Sequence, residues 1–138
     1  MKKIFVFIPA LLFTIFVGCS QTNPQTPDQP AVDIKFENTT HDFGTIPFGG
    51  NGSFDFVFTN TGKEALVLKN VSPSCGCTVS EWPKEPIAPG AKGTIKLKYN
   101  TQLVGAFSKS ATVYSNAATN PVTLHINGTV AQQAPASK

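Results

Sequence analysis

The middle of this chain is dominated by an alternation of apolar and polar side chains with a period of two residues. In the stretch SFDFVFTN, Phe54, Phe56 and Phe58 fall on one side of an extended strand. The stretch GTIKLKY repeats the pattern, because Ile95 and Leu97 alternate with lysines. Successive side chains of a strand point to opposite faces, so these segments predict strands that each bury one face. A convincing helical period is found in no segment.

Turn residues separate further strand candidates along the chain. Asn60 and Gly62 in TNTG predict a tight hairpin, and the proline and glycine of APGAKG predict a second turn. The other predicted strands are ALVLKNV at 65–71, CTVSEW at 77–82, KSATVYS at 109–115 and VTLHINGTV at 122–130. About seven short strands predict an all-β fold, a single antiparallel immunoglobulin-like β-sandwich over residues 32–131. The usual inter-sheet disulfide is excluded, because Cys75 and Cys77 are only two positions apart.

The amino terminus resembles a cleavable export signal of the bacterial lipoprotein type. Lys2 and Lys3 precede the apolar run IFVFIPALLFTIFV, which is too short to span a bilayer comfortably as a permanent helix. Gly18 directly precedes Cys19, and the stretch FVGC resembles the lipobox whose cysteine receives the lipid. We therefore predict a signal peptide at residues 1–18 and lipidation, for example by palmitate, at Cys19. The alternative is an ordinary secretory signal with an incidental cysteine.

The segments on either side of the predicted domain are polar and rich in proline. Residues 19–31 predict a flexible or partly extended tether, and residues 132–138 predict a disordered tail. With a lipid anchor in a membrane leaflet, the protein would face the periplasm of the bacterial cell envelope. Ser20 after the lipidated position favours the outer over the inner membrane.

The charge of the chain argues against nucleic acid as a partner. The sequence has 11 lysines, no arginine and 8 acidic residues, and two of the lysines lie in the predicted signal peptide. Arginine is the residue that reads phosphate groups in a bidentate manner, and a basic stripe is the usual mark of a nucleic-acid surface. The composition therefore predicts no nucleic-acid binding.

The stretch SCGCT holds two cysteines that admit several interpretations. In an extended strand Cys75 and Cys77 would lie about 6.6 Å apart, near the upper limit for a bridge. A disulfide therefore needs a turn, which Gly76 permits by adopting a positive φ. A redox pair is one alternative, and a Cu(I) or zinc site completed by His41 or His125 is another. Packing as small apolar side chains is the third.

Other aromatic and polar residues are assigned to the core, to turns or to the surface. Trp82 is either a lid on the core or a binding anchor. His41 and Asp42 precede Phe43, and we expect Phe43 to enter the core while the two polar side chains make turn hydrogen bonds. Strand alternation places His125 on a solvent-facing surface.

Sequence signatures of an enzyme are lacking. The stretch FGGNG at residues 48–52 is not followed by the lysine and hydroxyl residue of a P-loop, and a strand rather than a helix comes after it. The chain has no nucleophile-elbow motif, zinc-protease motif or convincing carboxylate pair. The sequence therefore predicts a protein that is not an enzyme and has no cofactor.

Several motifs together resemble a known family. HDFGTI, FTNTG, SCGCT, IAPGAKGTIKLKY and GTV occur in the order seen in a widespread bacterial family of exported domains of unknown function, often lipoproteins. The resemblance covers about residues 33–130. It implies an immunoglobulin-like fold related to the PapD, major sperm protein and ciliary ASH group, and an address in the envelope. It implies no activity.

The sequence thus favours a membrane-anchored envelope lipoprotein with a non-enzymatic interaction or structural domain. An unpaired edge strand of the sandwich would contact an envelope protein. The alternative is a thiol redox or Cu(I)-binding protein that acts through Cys75 and Cys77.

Overall fold

Residues 30–132, described by a computed structural model, form eight β-strands and no helix. The strands are β1 (Ile34–Phe36), β2 (Thr40–Ile46), β3 (Ser53–Asn60), β4 (Leu68–Pro73), β5 (Thr78–Glu81), β6 (Lys92–Tyr99), β7 (Gly105–Ser115) and β8 (Val122–Val130). Within this range, the structure has no helix with the length and hydropathy needed to cross a bilayer.

The strands form two sheets that pack face to face. The first sheet has the order β1-β3-β6-β5, and the second has the order β2-β8-β7-β4. The prediction of an all-β immunoglobulin-like sandwich is confirmed, with eight strands where about seven were expected. All pairings between these strands are antiparallel except that of β2 with β8, which is parallel.

The parallel pairing arises because β2 continues β1 into the other sheet. Only residues 37–39 separate the two strands, and β2 then lies beside β8, which runs in the same direction. β2 also carries a bulge between Asp42 and Thr45, where Gly44 has a φ of 61° and its N–H donates to Asp42 Oδ1 at 2.7 Å. The antiparallel sandwich expected from the sequence therefore has one parallel pairing, at this edge.

The core lies between the two sheets and receives the alternating side chains of both. The deepest residues are Phe56, Phe58, Ile95 and Leu97 from the first sheet and Val113, Leu124 and Ile126 from the second. Burial of each such side chain stabilises the fold by about 1.5–3 kcal/mol. Phe54, near the start of β3, is only half-buried and packs against the edge of this core.

Asn60 is part of a crossover between the sheets, and the predicted hairpin at TNTG is wrong. β3 belongs to the first sheet and β4 to the second, so residues 61–67 carry the chain across the sandwich. The Asn60 side chain is fully buried, and its Nδ2 donates to the carbonyls of Glu64 at 2.7 Å and Ile87 at 2.9 Å. These bonds satisfy the buried amide group of Asn60 and tie the crossover to the segment that contains Ile87.

The incoming chain is held at one end of the sandwich, which we call the entry end. The carbonyl of Ala31 accepts the N–H of Lys63 at 2.8 Å, and that of Val32 accepts the N–H of Ala118 at 2.9 Å. Gly62 lies against this segment so closely that a Cβ atom there would be 2.6 Å from the Asp33 nitrogen. The tether predicted at residues 19–31 would therefore attach here.

Candidate functional site

Three loops meet at the opposite end of the sandwich, which we call the loop end. They are residues 47–52 between β2 and β3, residues 74–77 between β4 and β5, and residues 100–104 between β6 and β7. Main-chain bonds join them, because Gly49 N–H donates to the Thr101 carbonyl at 3.0 Å and Asn100 N–H donates to the Cys77 carbonyl at 2.9 Å. The loops therefore form one continuous surface.

Large apolar side chains are exposed on this surface. Phe48 is 37% exposed, Leu103 46% and Val104 53%, and all three lie in or directly beside turns of the loop end. Tyr114, the remaining large apolar residue of comparable exposure within residues 30–132, lies on β7 near the entry end. Sequence analysis did not single out these three residues. The indication available in the sequence was that these apolar residues lie in segments between predicted strands.

Two cavities open between the loops. The larger, of about 590 Å³, is lined by residues 49–53 and 98–102. The smaller, of about 400 Å³, is lined by Gly76, Cys77, Glu81, Lys98, Tyr99 and Asn100. We call the smaller one the cysteine cleft. The two cavities share the lining residues Lys98, Tyr99 and Asn100 at the end of β6, so they are neighbours.

Cys75 and Cys77 are joined by a disulfide in the turn between β4 and β5. Their Cα atoms lie 5.3 Å apart, which is shorter than the spacing in an extended strand because the chain turns at residues 74–77. Gly76 makes this turn without a positive φ, contrary to the role expected for it. A Cβ atom at Gly76 would have no neighbour within 4 Å. The side of the turn above Gly76 is therefore open.

The disulfide turn is anchored to both sheets by its neighbours. Ser74 N–H donates to the Ser110 carbonyl of β7 at 2.8 Å, and Ser110 N–H donates to Ser74 Oγ at 3.1 Å. On the other side, the Cys77 carbonyl accepts the N–H of Asn100. The ring closed by the disulfide is local and does not bridge the sheets.

Thr78 lies directly beside one of the two sulfur atoms. Its hydroxyl group is 3.8 Å from Cys75 Sγ, and the residue is only 3% exposed. A disulfide sulfur carries no hydrogen, so the hydroxyl is the donor in this contact. From the sequence, Thr78 was expected only as part of the strand predicted at 77–82. A hydroxyl residue next to the second cysteine was the available signal.

Trp82 is separated from the cysteines by the length of β5. Its ring packs against the core, and Lys84 Nζ lies 3.0 Å from the ring centroid. Within the described residues, the Trp82 indole nitrogen is the one buried side-chain polar atom without a hydrogen-bond partner. Both interpretations of Trp82 therefore have a structural basis, since the ring is half-buried and also lines a cavity of about 370 Å³ with Lys96 and Glu81.

The histidines lie away from the cysteine cleft. His41 stacks on Phe54 of the other sheet, with ring centroids 3.6 Å apart, instead of making the expected turn hydrogen bond. Asp42 does make such a bond, to Gly44 N–H, and Phe43 packs against the core as predicted. His125 is exposed on β8. Across residues 30–132, no three His, Cys, Asp or Glu side chains are grouped closely enough to hold a metal ion.

The predicted lipidation site cannot be placed relative to these features. Cys19, the signal peptide at residues 1–18 and most of the tether lie outside the described residues.

Comparison with known proteins identifies the family. Residues 34–130 match the family described as protein of unknown function (DUF1573). The chain belongs to the DUF1573 family. A search of curated proteins gives no match to this DUF1573 chain.

The DUF1573 domain is similar in fold to several solved structures. A protein of unknown function from Porphyromonas gingivalis W83 has a TM-score of 0.65 and 14% identity, over 76% of this chain and 51% of that one. The ASH/PapD-like domain 7 of human CEP192 has a TM-score of 0.58 and 11% identity, over 91% and 99%. The secreted serine protease VesC from Vibrio cholerae has a TM-score of 0.55 and 17% identity, over 75% and 24%.

These similarities establish the fold of the DUF1573 domain and nothing more. The chain spans about half of the Porphyromonas gingivalis structure and about a quarter of VesC. At such low identity, a shared fold does not transfer an activity. The expected relation to the PapD-like and ASH group is confirmed at the level of the fold.

Proposed function

We propose that this protein is a lipid-anchored, non-enzymatic binding domain of the bacterial cell envelope, and that its loop end contacts another envelope protein. The observation that carries the proposal is the difference between the two ends of the sandwich. The incoming chain is held at the entry end by residues 31 and 32, whereas the exposed side chains of Phe48, Leu103 and Val104 lie at the other end.

A lipid on Cys19 would give the two ends of the sandwich different roles. The tether of residues 19–31, fully extended, reaches about 45 Å at 3.3–3.6 Å per residue. The tether would then leave the domain at the entry end, and the loop end, at the other end of the sandwich, would be free to contact partners. Large apolar side chains at the centre of a contact contribute most of the binding energy in typical protein interfaces.

The edge strands of the sandwich offer a second contact element. β4 and β5 face one another at one side, where Ser80 Oγ donates to the Val71 carbonyl at 3.1 Å. The edge of β1 is covered near Ile34, whose carbonyl accepts Thr119 Oγ1 at 3.4 Å. β2 is the longest edge strand and leads into the loop that carries Phe48. Strand addition at β2 would therefore extend a contact made by the loop end.

The proposal is tested by crosslinking in intact envelopes, followed by recovery of the full-length protein. We expect a partner to be recovered with the native chain and to be lost with the double variant Phe48→Ser, Leu103→Ser. Tyr114→Ser is the matched control, because it removes an exposed aromatic residue away from the loop end. Equal recovery with all three chains would contradict the proposed surface.

The anchor is tested separately by growing cells with labelled palmitate. We expect label on the native protein and none on Cys19→Ala, which should pass into the soluble fraction. An unlabelled native protein would exclude the lipid anchor and leave the loop-end contact to be judged by crosslinking.

A second candidate function is thiol–disulfide exchange at Cys75 and Cys77. The observation that favours it is the disulfide itself, in a short ring next to the open cysteine cleft. Such a ring constrains the unfolded chain only weakly, so stabilisation is a poor reason for it. Accessible disulfides of this kind are the ones that exchange with thiols.

A further inference from the structure

We infer that the Cys75–Cys77 disulfide is a directional exchange site, at which a dithiol reductant attacks Cys77 from the cysteine cleft and Cys75 is the leaving group. This inference rests on the thiol-exchange candidate above. It is independent of the lipid anchor and of the loop-end partner.

Both cysteines are half-buried, and Cys77 also packs against the core, so the lining of the cysteine cleft is what distinguishes them. Cys77 lines the cysteine cleft together with Gly76, Lys98 and Tyr99, whereas Cys75 is not among its lining residues. The Cys75 sulfur instead faces the buried Thr78 hydroxyl group. The turn is also open on the side of Gly76, where a Cβ atom would have no neighbour within 4 Å. The cleft therefore directs a reductant to Cys77.

The two sulfurs also differ as leaving groups. A sulfur leaves faster when its thiolate is stabilised. The Thr78 hydroxyl, 3.8 Å from Cys75 Sγ, can donate a hydrogen bond to the thiolate that forms there. Thr78 is 3% exposed, so water competes little for this bond. Departure of Cys75 is therefore favoured over departure of Cys77.

Charge in the cleft favours a thiolate as the ligand. Lys98 lies on β6 and lines the cleft, and its ammonium group attracts the anionic form of an incoming thiol. Glu81 lines the same cleft and limits this attraction for strongly acidic partners. A dithiol with one ionised sulfur fits these charges.

The exchange proceeds in two balanced steps. The reductant thiolate forms a bond to Cys77 Sγ, the Cys75–Cys77 bond breaks, and its electron pair leaves with Cys75 as a thiolate. The second thiol of the reductant, once deprotonated, attacks its own sulfur in the mixed disulfide and releases the Cys77 thiolate. The protein gains two electrons and two protons, and the dithiol becomes a disulfide. Ser74 and Cys77 keep their main-chain anchors to β7 and β6, so the pair stays close enough to re-form.

The first experiment asks whether the disulfide exchanges at all. The full chain with Cys19→Ala is treated with dithiothreitol, and its mass is measured before and after reoxidation. We expect a reversible gain of two hydrogen atoms. An unchanged mass would overturn both this inference and the thiol-exchange candidate, and would leave the binding function standing.

The second experiment locates the attacked sulfur. The chain is mixed briefly with 2-mercaptoethanol, and the reaction is quenched with an excess of N-ethylmaleimide, which alkylates the free thiols. Both cysteines lie in the one tryptic peptide between Lys69 and Lys84, so fragmentation shows which of them carries the mercaptoethanol. We expect the adduct on Cys77 at least about fivefold more often than on Cys75. An adduct mainly on Cys75, or equally on both, would overturn the direction while leaving exchange itself intact.

The third experiment tests the residues that set the direction. Thr78→Val should slow reduction about tenfold and reduce the preference for Cys77, because a hydrogen bond to a charged sulfur is lost. Thr101→Val is the matched control, a buried threonine whose hydroxyl donates to the Gly50 carbonyl instead. Equal rates for Thr78→Val and the native chain would contradict the proposed role of Thr78.

Lys98→Gln should slow reduction about threefold at low ionic strength, and the effect should shrink in concentrated salt. Lys35→Gln, on the opposite edge strand of the same sheet, is the control and should leave the rate unchanged. A rate that is insensitive to Lys98 would contradict the electrostatic part of the inference.

Discussion

Asp33 holds together two segments that are far apart in the chain. Its carboxylate accepts Thr119 Oγ1 at 2.7 Å and Thr61 Oγ1 at 3.0 Å. The hydrogen bond from Thr119 is the main cause that lowers the pKa of Asp33 below its ordinary value of 3.8, and desolvation partly opposes it. The ionised carboxylate is therefore the form that stabilises the entry end.

This environment predicts a pH-dependent contribution to stability. A carboxylate with a lowered pKa in the folded state contributes fully above its unfolded pKa, near 3.8, and loses the contribution as pH falls through the lower folded value. Asp33→Asn should therefore lower the melting temperature at pH 7, with a difference that shrinks toward strongly acidic pH. Thermal melts of the two proteins from pH 2 to pH 7 measure this.

Asp55→Asn is the control for this measurement. Asp55 is on β3, with its Lys96 partner 4.0 Å away, and surface pairs of this kind contribute little. A pH-independent difference between Asp33→Asn and the native protein would contradict the role of the charge.

At the level of the strand, β6 depends on a residue without a side chain. Gly93 is paired with Phe58 of β3, and a Cβ atom at Gly93 would collide with the end of the Phe58 ring. Phe58 is fully buried, so its ring has little freedom to move aside. Because Gly93 has no side chain, the ring of Phe58 fits beside it in the core.

Gly93→Ala should destabilise the domain by about 1–3 kcal/mol, because an additional methyl group forces rearrangement of a well-packed core. Urea unfolding followed by tryptophan fluorescence measures this value. Gly76→Ala is the control, because the space around Gly76 is open and its φ is not positive. Equal losses for the two variants would show that backbone freedom, rather than crowding by Phe58, sets the cost.

At the level of the molecule, the fold depends on its core and not on the disulfide. The bridge joins residues two positions apart within one turn, whereas residues such as Phe56, Leu97 and Leu124 join the two sheets. Closure of such a short ring is worth only about 1.5 kcal/mol on a chain-entropy estimate.

The double variant Cys75→Ser, Cys77→Ser should therefore remain folded and melt a few degrees lower than the native protein. Recovery of the loop-end partner should persist, because Phe48 and Leu103 are unchanged. Calorimetry and the crosslinking assay measure the two effects. Unchanged stability together with loss of the partner would instead make the disulfide part of the binding surface.

Much of the fold followed from local patterns. Phe56 and Phe58 of β3, Ile95 and Leu97 of β6 and the solvent-facing His125 of β8 were correctly predicted, because period two is a property of an extended chain and needs no knowledge of its neighbours. Less of the candidate site could be predicted from the sequence. Cys75 and Cys77 were identified as residues of interest, but Thr78 and Phe48 were not, because their importance depends on what lies beside them in space.

The sequence by itself therefore determined most of the strand segments and the core side chains of β3 and β6, since alternation along one strand decides both. Only the tertiary structure decided that TNTG crosses between sheets, that β2 runs parallel to β8, and that three loops meet beside the disulfide. These features depend on pairings between residues far apart in the chain. Which pairings form is decided by the free energy of the whole arrangement of strands. A local pattern is compatible with several such arrangements.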